Sequence, residues 1–167
     1  MEISVDRVAG FADVQLSGQT APRAVLLSLA AISEGQDILQ FVVSRERDAG
    51  TTHWNVVALL SDDTLVVVDA LGQTSDWDFD EEQLSRPNYS VRSSIRPLRG
   101  LASIELSDVA MEDFAPNRQG WLVWGQWTLN WQDGSAAVVL PRPATNDLAR
   151  RHTIEAIVAR ARHVLNG

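Results

Sequence analysis

The chain has 167 residues, 45% of them apolar, and carries a net charge of −8 with no cysteine. That length suits one domain with a core of ordinary size. The composition excludes disulfides, thiolate metal sites and cysteine nucleophiles. No run of about 18 apolar residues occurs, so no membrane span is expected. The N-terminus begins acidic and lacks a basic segment followed by an apolar one, so no signal peptide is read and a cytoplasmic location is expected.

Charge is uneven along the chain. Residues 1–82 hold fifteen Asp/Glu against four Arg, a balance of −11, and residues 83–167 hold seven against ten, a balance of +3. All fourteen basic residues are Arg and none is Lys. An acidic chain repels phosphate backbones, which argues against a nucleic-acid partner.

In chain order, residues 1–20 are weakly patterned and hold at most a short strand. Pro22 opens an apolar segment that Gly35 can stop, which predicts a short helix over 22–33. Gln36 to Arg47, Trp54 to Leu60 and Leu65 to Ala70 read as strands one to three. The run TLVVVDA suits a strand buried on much of both sides. Residues 71–88 are polar and acidic and read as a loop, with room for a short edge strand at 75–79 and a turn of helix near 81–85. Tyr89 to Ile95 reads as strand four and Leu101 to Val109 as strand five. Strands six and seven lie within 120–141 around Asp133-Gly134, the strongest hairpin signal in the chain.

The chain closes with a helix over 144–166. Its stripe is Ile154, Ile157, Val158, Ala161, Val164 and Leu165, extended by Leu148. Thr145 or Asn146 can cap it, Asp147 sits in its first turn, and Asp147–Arg151 forms a pair one turn apart. The strands fall into two groups, 36–80 and 89–141, arriving mostly as hairpins. A mainly β (α+β) fold follows: two small antiparallel sheets, seven strands in all, with the helix plugging an open corner.

On strand six, Trp121, Val123, Trp127, Leu129 and Trp131 share a face and Trp124 lies opposite. The first set reads as core, and exposed Trp124 as a stacking platform. Asp76, Asp78 and Asp80 alternate and begin like a calcium loop. Glu81 stands at the sixth position, where Gly is needed, and Pro87 at the twelfth, where Glu is needed. A solvated acidic loop anchored by Trp77 and Phe79 accounts for the segment better. His53, His152 and His163 have no paired spacing for a metal. No nucleophile elbow, P-loop or dinucleotide fingerprint is present, so no catalytic, cofactor or metal residue is assigned.

The order of segments is more telling than any motif. Ile32-Ser33-Glu34-Gly35-Gln36-Asp37-Ile38-Leu39 leads into strand one. VVALLSDDTLVVVDA, RPLRGLASIEL and WTLNWQDGSAAVVLP follow, and the amphipathic helix ends the chain. Over roughly 32–165 this resembles the bacterial pleckstrin-homology-like (PH-like) domains. The resemblance implies a seven-stranded antiparallel β-sandwich or partly open barrel, capped by a C-terminal helix. Residues 1–31 then form an N-terminal extension and residues 32–167 the PH-like domain.

Lipid-binding members carry several Lys/Arg in the first hairpin loop. Here Ser44 to Gly50 alternates Arg45 and Arg47 with Glu46 and Asp48 and has no Lys, which argues against phosphoinositide binding. The resemblance implies a non-enzymatic binding or protein-interaction module with no cofactor. Candidate surface residues are Trp124, Arg92, Arg96, Arg99, Arg45 and Arg47, with Arg92, Arg96 and Arg99 facing an acidic protein or peptide partner. A homo-oligomer through sheet edges is a further expectation. Two other readings remain open: a secretion- or folding-chaperone-like acidic protein, and a carbohydrate binder or enzyme using the Trp-rich strand and the Asp76–Glu82 carboxylates.

Overall fold

In a computed structural model, residues 11, 14–16, 18–33, 35–85, 87–113, 121–141 and 147–167 are described. The fold is mainly β, with two antiparallel sheets of four and three strands and a C-terminal helix. The contacts divide the chain into two compact units, Met1–Arg96 and Pro97–Gly167.

The first unit begins with a two-residue ladder of β1 (Gln15–Leu16) and β2 (Gln19–Thr20). Helix α1 (Arg23–Ile32) follows where it is predicted. Pro22 leads in with φ −54°, and Ser33 closes the helix by donating its N–H to the Leu29 carbonyl. Val25, Leu26 and Leu29 are buried at the spacing of one helix face, and α1 lies against β5.

The sheet runs β3 (Ile38–Asp48), β4 (Thr51–Leu60), β5 (Thr64–Gly72), β6 (Tyr89–Pro97) in spatial as in chain order. Alternation sends Val43, Trp54, Val56, Ala58, Val66, Val68 and Ala70 into one core with the helix residues. Leu65, Val66, Val67 and Val68 are all buried, as the continuous apolar run of strand three implies.

Between β5 and β6 the acidic segment forms a loop and a short helix α2 (Phe79–Ser85), not an edge strand at 75–79. Its backbone donors explain the choice. Asp78 accepts the N–H groups of Asp80 and Glu81 at 3.0 and 2.9 Å, which starts a helix instead of extending a strand. Trp77 is fully buried and Phe79 packs against the core, the two anchors expected of this segment.

The second unit opens with a 3-10 turn (Leu98–Gly100). It continues as β7 (Leu101–Asp113), β8 (Trp121–Trp131) and β9 (Val138–Val139), paired in that order. Strand four therefore completes the first sheet, which corrects the grouping of 89–141 together. The hairpin after β8 exists, but its return strand is only two residues, opposite Thr128 and Leu129. Gly134 sits at φ 71°, so Asp133-Gly134 turns the chain within a wider loop rather than closing a two-residue hairpin.

Helix α3 (Leu148–Asn166) buries Ile154, Ile157, Val158 and Ala161 and lies against β7 and the 3-10 turn. Its N-cap is Asp147, whose side chain accepts the Arg150 N–H at 3.0 Å; Thr145 and Asn146 lie outside the described residues. Asp147 also pairs with Arg150 at 3.5 Å. Leu148 and Leu165 stand 57% and 38% exposed, so the apolar stripe is shorter than its spacing predicts. No helix among the described residues is long and apolar enough to cross a membrane.

Candidate functional site

Arg45 and Arg47 project from β3 on one face, and both are engaged. The Gln19 amide oxygen accepts from both guanidinium groups, and Gln19 Nε2 donates to Asp78 Oδ2 at 2.8 Å. Arg47 also pairs with Asp76. The Arg45 guanidinium lies 5.1 Å from the centre of the Trp54 ring. Burial first, and then the neighbouring charge of Arg47, lower the Arg45 pKa, while Asp76 and Asp78 raise it. Gln19 carries no signal in the sequence that marks it as the bridge. The two cations tie the β1–β2 ladder and the acidic loop to the sheet.

The acidic segment is likewise committed to the fold. Asp76 meets Arg47, Asp78 starts α2, and Glu82 accepts the Ala24 N–H at 3.3 Å at the uncapped start of α1. Burial raises the Glu82 pKa, its hydrogen bonds from Ala24 and Arg23 and the charge of Arg23 acting against that shift. Among the described residues no three His, Asp or Glu side chains form a group that could hold a metal.

His53 pairs with Asp69 at 3.3 Å, and Asn55 donates to the same carboxylate at 2.8 Å. Beside them Glu46, Asp48, Thr51, His53 and Leu71 line an open groove of about 340 Å³. His152 and His163 are exposed on α3.

In the second unit Trp124 is half-buried, and the Arg151 guanidinium of α3 covers its ring at 4.2 Å. Arg162 stands 4.8 Å over Trp127. Of the face expected to be core, Leu129 and Trp131 are buried and Trp127 is only half-buried, while the side chains of Trp121 and Val123 lie outside the described residues. The Trp131 indole donates to Pro97 O at 2.9 Å. The stacking surface of Trp124 is thus occupied by the chain's own arginine. Arg99 is exposed on the 3-10 turn.

Arg92 and Arg96 lie on β6, the last strand of its sheet. Among the described residues no strand pairs with its outer edge. Tyr89 and Ile95 are each 50% exposed, and Ser90, Arg92 and Ser93 are exposed too. Val91 packs against the core, and Tyr89 stacks on buried Trp77 with ring centres 5.1 Å apart, so both fix the strand to the unit. Alternation puts Arg92, Ser94 and Arg96 on one face and Val91, Ser93 and Ile95 on the other. Arg96 is half-buried, and its Nε is shielded from water without a hydrogen-bond partner.

The other long edges differ. β3 has β1 against it. β7 is broken by an irregularity between Ser107 and Ala110, with Asp108 at φ 50° and exposed Glu105 and Asp108 beside it. Bulges and charges of that kind discourage further pairing. Among the described residues, β6 alone combines an unpaired edge, exposure on both faces and two cations.

No family model, no curated protein and no solved structure matches this chain.

Proposed function

We propose that this chain is a non-enzymatic PH-like protein-interaction module that takes up an extended segment of a partner protein along the outer edge of β6. The PH-like reading is supported by element order: four antiparallel strands, then three, then a closing helix. The binding reading is carried by the nine-residue edge strand itself, unpaired on its outer side among the described residues and exposed on both faces. A strand in that state offers a row of backbone donors and acceptors to an incoming segment.

A non-catalytic role is supported by the use made of the polar residues. Asp76, Asp78 and Glu82 meet cations or backbone donors of the fold. The ring of Trp124 is covered by Arg151.

The test is site-specific photocrosslinking in a lysate of the source organism. A benzophenone side chain at Ile95 is expected to capture one partner protein. The same group at Leu84, on α2 and 84% exposed, is the control. Equal capture from both positions, or none from Ile95, overturns the proposal.

A further inference from the structure

We infer that the segment received by β6 is acidic, with carboxylates four residues apart that meet Arg92 and Arg96 and apolar side chains that meet Val91 and Ile95. This rests on the reading of β6 as a docking edge and names the chemistry of its occupant. Arg92 and Arg96 share a face of the strand and stand roughly 13 Å apart at about 3.3 Å per residue. A strand laid beside β6 repeats that spacing and brings its side chains within direct reach of their opposite numbers. Run antiparallel, the matching order is acidic, apolar, any, any, acidic, apolar, placed against Arg96, Ile95, Ser94, Ser93, Arg92 and Val91 in turn.

A carboxylate that meets the guanidinium of Arg92 or Arg96 adds a charge-assisted hydrogen bond to the backbone pairing. The same arginines discriminate against a second copy of the chain. Two β6 strands paired antiparallel about Ser94 set Arg92 opposite Arg96 twice, and like charges directly opposite are unfavourable. The edge is therefore selective for an acidic stranger.

The experiment is an amide NMR titration of the full chain with short peptides. One has the order Glu, Val, Thr, Thr, Glu, Val, and its counterpart carries Gln for both Glu. The Glu peptide is expected to shift the amides of Tyr89 to Arg96. It should bind roughly fivefold to tenfold more tightly than the Gln peptide, from two cross-strand charge pairs. That ratio should fall to near one in the Arg92→Gln/Arg96→Gln chain and shrink with added salt.

Equal binding of both peptides overturns the acidic selectivity and leaves the docking edge standing. Failure of the Glu peptide to bind, or shifts confined to another strand, overturns the inference. Crosslinking from Ile95 then decides separately whether the edge is a docking site at all.

Discussion

The indole Nε1 of Trp54 donates to the carbonyl of Trp77 at 2.5 Å, joining the middle of β4 to a loop 23 residues further along. Thr52 completes the clamp. Its hydroxyl donates to Thr74 O at 2.8 Å and receives the Trp77 N–H at 3.2 Å. Trp54, Thr52 and Trp77 are all fully buried. Trp54→Phe leaves the Trp77 carbonyl unpaired in a dry site and should cost about 3 kcal/mol. Thr52→Val strands two backbone groups and should cost about 2 kcal/mol. Urea unfolding midpoints measure both, and the double variant should lose less than the sum because one loop is released in each case.

A second expectation concerns Glu82 and its contact with the start of α1. Burial raises its pKa above the ordinary value of 4.5, so the folded protein holds a proton there more tightly than the unfolded chain. The charged form therefore weakens the fold above the raised pKa, and that penalty vanishes once the pH falls below 4.5. Glu82→Gln keeps an oxygen for the Ala24 N–H and removes the charge. It should be more stable than the parent at neutral pH, with the gap closing as pH falls through the raised value. A gap that stays constant from neutral to acid removes burial as the cause.

Strands and the closing helix were legible because their signals are local. Val66 to Val68 forms a run of β-branched residues that favours a buried strand, and Ile154, Ile157, Val158 and Ala161 recur at helical spacing. What the sequence left open were choices made between distant segments. Tyr89 to Pro97 pairs with the first sheet, and nothing within those nine residues announces its neighbour. Trp124 reads as a free platform because Arg151, 27 positions later in the numbering, gives no sign that it will cover the ring. Asp76 to Glu82 reads as a solvated acidic loop for the same reason. Its partners, Gln19, Ala24 and Arg47, are remote in sequence. Of the residues singled out for binding, Arg45, Arg47 and Trp124 meet partners within their own units, while Arg92 and Arg96 stand on the open edge.

The Arg151–Trp124 contact makes its own forecast. Arg151 is only 4% exposed, so its stem and guanidinium are part of the packing between α3 and its sheet. Arg151→Ala should cost about 1–3 kcal/mol through lost packing and a lost cation–π contact. A double-mutant cycle with Trp124→Leu isolates the pair, with a coupling of about 1 kcal/mol expected. A coupling of zero means that the guanidinium owes its position to other neighbours.

The ends of the apolar stripe on α3 separate what spacing implies from what packing does. Ile157 is fully buried, whereas Leu148, on the same predicted stripe, is 57% exposed beside the N-cap. Removing buried methylenes leaves a cavity that neighbours only partly fill, so Ile157→Ala should lose about 2–4 kcal/mol. Leu148→Ala trades a largely wet side chain for a better helix former and should change stability by no more than about 0.5 kcal/mol. Thermal unfolding of the two variants side by side gives the comparison. Equal losses place Leu148 under cover and extend the buried stripe by two turns; a large loss at Ile157 alone confines the helix's hold on the sheet to its central turns.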